Sequence, residues 1–129
     1  MSMTVSNHFL LHAVESMAFV VPVSYRRIFN GYGVYHQHVQ FAIIITDHLY
    51  FRADDFSRCL YLSKKMAAFM QTTLSGFDSH FFQVPDDVLH NPAELKHWMR
   101  IAVESAQNGY SLEDDEPTKA VLIKHVKAR

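Results

Sequence analysis

Five apolar residues in unbroken succession, Phe41-Ala42-Ile43-Ile44-Ile45, lie within a stretch from Ser24 to about Ala53 that is rich in β-branched and aromatic types. Successive side chains of a strand point to opposite faces, so a strand with one wet face alternates polar and apolar residues. A run that is apolar at every position needs cover on both faces. It therefore predicts a central strand, with helices or a partner chain supplying at least one of the covers. Tyr25 to Phe29, Tyr32 to His36 and Leu49 to Ala53 carry the same residue types around it, and short polar or glycine-containing breaks separate them. Breaks of that length suit an antiparallel meander. A two-residue turn at Asp47-His48 would set Thr46 opposite Leu49 and Ile44 opposite Phe51.

Helical signals flank this stretch. Ser6 or Asn7 can cap a first helix in which Leu10, Val14 and Met17 recur at helical spacing beside Ala13 and Ala18, ending before Pro22. Asp54 or Asp55 can cap a second, with Phe56, Cys59, Leu60 and Met66 on one stripe. Ala67 to Thr73 and Phe81 to Val84 read as two further strands joined through Leu74-Ser75-Gly76. In the last helix Asn91 is the expected N-cap, Pro92 the first helical residue and Glu94 the third, a capping-box arrangement. Leu95, Trp98, Met99, Ala102 and Ala106 form its apolar face, and Gly109 is placed to end it. These elements make one domain over residues 1–109. Residues 110–129, with the acidic run Glu113 to Glu116 and the Lys and Arg residues after Pro117, read as a charged linker or C-terminal tail.

Charge and cysteine content narrow the function classes. Twelve Lys and Arg against thirteen Asp and Glu leave a net charge of −1, without the basic excess through which phosphate neutralisation drives nucleic-acid binding. The lone Cys59 forbids an intrachain disulfide. No apolar run approaches the roughly 18 residues that span a bilayer, and the N-terminus lacks signal-peptide features. The expectation is a cytoplasmic protein that neither crosses a membrane nor binds nucleic acid directly.

The chemistry-bearing residues favour surface and fold over bond-making. His8 and His12 share a helix face at a spacing that can hold a metal, but no third ligand is near in sequence. His36 and His38 flank Gln37 at a turn, which breaks the geometry of a strand pair. Cys59 falls on the expected apolar stripe of the second helix, where small buried thiols are common, and no base is in sight. Asn30-Gly31-Tyr32-Gly33 has neither phosphate-loop spacing and leads into a strand, so its glycines serve a turn and a close approach. Asp54-Asp55 and Asp86-Asp87 sit where helices start, and capping accounts for them. Arg26, Arg27 and Tyr32 are the candidates for partner contact, with Tyr35 beside them. Adjacent strand positions face opposite ways, so at most one of the two arginines serves a given surface.

The segment Arg26-Arg27-Ile28-Phe29-Asn30-Gly31-Tyr32-Gly33-Val34-Tyr35 resembles the signature of the TfoX (Sxy) competence-regulator family, in its N-terminal domain. The similarity continues through Phe41-Ala42, Leu49-Tyr50-Phe51-Arg52-Ala53-Asp54, Phe81-Phe82-Gln83-Val84-Pro85, Leu89 and the helix of Trp98. It covers about Phe9 to Ala106. Asn30 stands where the family usually has the first of two glycines, and Asn tolerates left-handed backbone. The resemblance implies a domain that promotes competence-gene transcription alongside a cyclic-AMP-dependent activator. Full-length members add a C-terminal helical domain, for which nothing after Gly109 is long enough.

The expected fold is α+β, an antiparallel meander sheet of about five or six strands flanked by three helices. The expected function is a non-enzymatic regulatory or protein-interaction domain, without metal or cofactor, with a protein partner from the transcription machinery. A homodimer would cover an aromatic-rich sheet face. Two other classes compete with it. One is a small-molecule- or metal-binding enzyme; the other is direct DNA binding through Arg26, Arg52, Arg58, Lys64 and Lys65 together.

Overall fold

The computed structural model describes residues 6–28, 31–69, 71–73, 76–78 and 80–114, with backbone only for 71–73, 76–78 and 110–114. The chain opens with α1 (Asn7–Ala18), where the Ser6 hydroxyl accepts from the Phe9 N–H at 3.2 Å and so caps the first turn. Strands β1 (Ser24–Ile28), β2 (Gly31–His36), β3 (Val39–Ile45) and β4 (His48–Arg52) follow. Then come α2 (Arg58–Ser63), a short hairpin of β5 (Gln71–Thr73) and β6 (Gly76–Asp78), β7 (Phe81–Gln83), α3 (Asp86–Leu89) and α4 (Pro92–Asp114). The main sheet has five antiparallel strands in the order β1-β2-β3-β4-β7.

The register explains how the apolar run of β3 is covered. Val34, Ala42, Phe51 and Phe82 are cross-strand partners in one line, and Tyr32, Ile44 and Leu49 form the next. Six of these seven, all but the partly buried Tyr32, are buried, and they join Leu10, Ala13 and Met17 of α1 and Leu95, Trp98, Met99, Ala102 and Ala106 of α4 in one core. A bulge between Val34 and Tyr35 makes Phe41 an extra residue, and it too is fully buried, its ring 6.0 Å from Phe51. Each large side chain of this core contributes about 1.5–3 kcal/mol by leaving water.

Ile43 and Ile45 belong to the opposite face and are also buried. They pair across the sheet with Gly33 and Gly31. A Cβ on Gly31 would meet the Ile44 carbonyl and the Ile45 Cδ1, and one on Gly33 would meet the Gln40 amide at 2.7 Å and the Tyr35 hydroxyl at 2.9 Å. Absent those Cβ atoms, the side chains of Ile45, Gln40 and Tyr35 lie over the two glycines.

Several expectations need correction. The β3–β4 turn is Thr46-Asp47, at φ 43° and 60°, rather than Asp47-His48, so Ile45 faces His48 and Ala42 faces Phe51. The slip is an even number of residues along the partner strand, so every side chain keeps its expected face. At α2 the buried residues are the N-cap Ser57, in place of Asp54 or Asp55, and Tyr61, four apart; of the expected stripe Leu60 and Met66 pack partly buried against the core, while Phe56 is 90% exposed and Cys59 is exposed. Asp54 sets that phase: its Oδ1 accepts from the Ser57 N–H at 2.8 Å while the Ser57 hydroxyl accepts from the Asp54 N–H at 2.9 Å. This reciprocal box fixes the turn with Ser57 and Tyr61 inward.

Gly109 does not end α4, which runs on to Asp114; the Arg52 guanidinium occupies the space a Cβ there would fill, 2.5 Å from its position. Asn91 caps α4 as expected, its Oδ1 accepting from Ala93 at 3.1 Å and Glu94 at 3.2 Å, but the Glu94 carboxylate takes the Trp98 indole N–H at 3.3 Å instead of closing the box. The β5–β6 hairpin occupies what read as one strand and its connection, and α3 is a fourth helix. Asn30, Leu74, Ser75 and the tail from residue 115 lie outside the described residues.

Candidate functional site

The two edges of the main sheet differ. Beyond β7 the chain runs alongside: the Phe69 N–H donates to Phe81 O at 2.7 Å and Gln83 N–H to Ala67 O at 3.0 Å, with Ala68 bridging Phe82. That edge is occupied. Beyond β1, among the described residues, nothing pairs, and Ser24, Tyr25, Arg26 and Arg27 are all exposed. An open edge leaves half the backbone donors and acceptors of the strand to water or to a partner strand.

Arg26 and Arg27 stand on this edge and on opposite faces, as strand alternation requires. Arg27 lies opposite Tyr32, its guanidinium carbon 5.5 Å from the ring centre, and Tyr25 meets the same ring edge-on at 5.8 Å. Arg26, opposite Gly33, reaches across that glycine to Tyr35, 4.9 Å from the ring centre, with its Nε–H donating to the phenolic oxygen at 3.3 Å. Stacking on tyrosine holds each guanidinium in place without neutralising it. Among the described residues neither arginine meets a carboxylate. The edge is thus aromatic and cationic, the composition that recurs where proteins anchor partners.

The other candidates scatter. Arg58 lies over the Phe82 ring at 5.8 Å, near the far edge of the sheet from Arg26. Four strand spacings of about 4.8 Å separate those edges, so Arg26 does not share one patch with Arg58, Lys64 and Lys65. His36 donates from Nδ1 to the Pro22 carbonyl at 2.8 Å, tying β2 to the approach to β1. His38 sits in the β2–β3 turn at φ 69° and His8 is exposed. His12 instead stacks on His90, ring centres 5.1 Å apart, and its Nε2 is buried without a hydrogen-bond partner. No group of three or more His, Cys, Asp or Glu gathers among the described residues. No helix among them is long and apolar enough to cross a membrane.

His12 and His90 border a groove between α1 and α4 whose wall includes Lys96 and Arg100. It has no local signature in the sequence, because its residues come from distant parts of the chain and meet only through the packing of α1 and α3 on α4.

The family model described as the TfoX N-terminal domain matches residues 15–106, from the second half of α1 through the sheet to α4. Among curated proteins nothing matches.

Proposed function

Because the chain belongs to the TfoX N-terminal domain family, we propose that it acts as a non-enzymatic regulatory domain of the cytoplasm that holds a protein partner at β1. The observation that carries this reading is the asymmetry of the sheet among the described residues, one edge occupied by its own chain and the other open beneath two tyrosine-stacked arginines. A partner segment adding a strand to β1 would satisfy its outward backbone groups, and acidic side chains of that segment would meet Arg26 on one face and Arg27 on the other. Competence regulators of this family work with a cyclic-AMP-dependent activator, and a partner in the transcription machinery fits that pattern.

The test uses the whole chain as bait in an extract of its host, beside an Arg26→Glu, Arg27→Glu double variant of matching circular dichroism. Wild type should retain a protein that the variant loses, and amide exchange in the purified complex should slow across residues 24–28. Equal retention by both chains, or protection confined to other elements, would refute the assignment of β1. Self-association through the same edge would appear as a dimer in light scattering that the double variant abolishes.

A further inference from the structure

The groove between α1 and the first half of α4 has a volume of about 670 Å³, within the roughly 300–1,000 Å³ range of small-molecule sites. Its floor and one lip are apolar, from Phe19, Val20, Leu89 and Leu95. Phe19 is 93% exposed, an unusual position for a large ring, and any apolar body seated in the groove would cover it. Lys96 and Arg100 are one helical turn apart on α4 and both reach the groove. The stacked imidazoles of His12 and His90 complete the wall, and His90 is held by its Nδ1–H donating to the Asp86 carbonyl at 2.8 Å.

Among the described residues no Asp or Glu lines this groove, although the chain carries thirteen of them and a net charge of −1. Every ionisable group in the wall is therefore of the basic type, against the balance of the surface. Two neighbouring cations above an apolar floor complement a single anionic head on an apolar body. A nucleotide or sugar would need several polar partners below the rim, and among the described residues Ser16 is the one hydroxyl there.

We infer that the groove binds a small carboxylic acid with an apolar body. The carboxylate sits between Lys96 and Arg100, and the body lies on Leu95 and Val20 under Phe19. This inference is independent of the partner reading, since the groove lies in the helical layer and involves no residue of β1.

Decanoate and its uncharged counterpart 1-decanol, both kept below their solubility limits, are the probes. They are titrated into the full chain and followed by amide shifts in two-dimensional NMR. Decanoate should shift amides of residues 16–20 and 95–100 and bind at least about fivefold tighter than 1-decanol, the margin of a charge-assisted contact. A Lys96→Gln, Arg100→Gln double variant, altered only at exposed helix positions, should lose about tenfold in decanoate affinity and leave 1-decanol unchanged. Ser16→Trp, which fills the groove, should abolish binding of both while circular dichroism reports an intact fold. Absence of decanoate binding, equal affinity for the two probes, or shifts centred elsewhere would each overturn the inference.

Discussion

At the scale of single residues, Asp54 carries more of the local structure than its exposed position suggests. Its carboxylate takes both the backbone N–H and the hydroxyl of Ser57 at 2.8 and 2.9 Å. The Ser57 N–H, more than any other contact, holds the Asp54 carboxyl below its ordinary value. As pH falls, the unfolded chain takes up that proton first. The stabilisation is therefore fully present above the unfolded carboxylate value of about 3.9 and is lost as pH drops through the lower folded value. Asp54→Ala should cost about 1 kcal/mol at neutral pH, the usual worth of a side-chain hydrogen bond to a turn's backbone. Asp54→Asn keeps an acceptor oxygen and should retain most of that stability, but its unfolding midpoint should fall less steeply than wild type below pH 4. Urea melts at a series of pH values check both variants. An Asn variant with an unaltered acid limb would show that Asp54 is not a source of the acid dependence.

Among the elements, the β3–β4 hairpin shows where the sequence could be read and where it could not. The strands were legible because the whole stretch from Tyr25 to Ala53 is β-branched and aromatic, and the number and order of the first four follow from its breaks. The turn was read one residue late because Thr46 continues the strand chemistry, being itself β-branched, yet adopts φ 43°. A residue of that type resists left-handed backbone, whereas a type I′ turn demands it at both central positions. Replacing Thr46 with Asn should relieve that conflict and raise stability by about 0.5–1 kcal/mol, read as a higher urea midpoint with an unchanged slope. Asp47 should be left alone, since its Oδ1 accepts from the Ser6 N–H at 2.8 Å and pins the start of α1 to the turn. The α2 stripe was misread for a related reason. Phe56, Cys59 and Leu60 have helical spacing, but the Asp54–Ser57 box fixes the phase, so that Tyr61 turns inward beside the partly buried Leu60 and Phe56 and Cys59 stay exposed. For the candidate site, the opposite facing of Arg26 and Arg27 follows from strand parity alone. The stacking of His12 on His90 had no such signal, because it exists only once α1 and α3 have both docked on α4.

Taken as a whole, the molecule is locked where α2, β7 and α4 meet, and Tyr61 is the residue they share. Its ring stacks on Phe82 with centres 5.4 Å apart and meets Trp98 edge-on at 4.8 Å, and only 1% of it is exposed. Burial pushes its phenol well above the ordinary tyrosine value, and pushes the half-buried Tyr50 upward as well. In the unfolded chain both phenols ionise near pH 10. Above that pH the native state binds more protons than the unfolded one, so stability must fall as pH rises, by up to about 1.4 kcal/mol per pH unit for each phenol that stays protonated. Trp98 is the sole tryptophan and lies against Tyr61, so its emission reports this junction directly. Urea melts followed by Trp98 fluorescence should show the midpoint declining from pH 9 to 11. Tyr61→Phe, which keeps the ring and removes the ionisable group, should flatten much of that decline while changing stability at pH 7 by less than about 1.5 kcal/mol. A decline of equal steepness in the variant would mean that the alkaline limit is set elsewhere than at this junction.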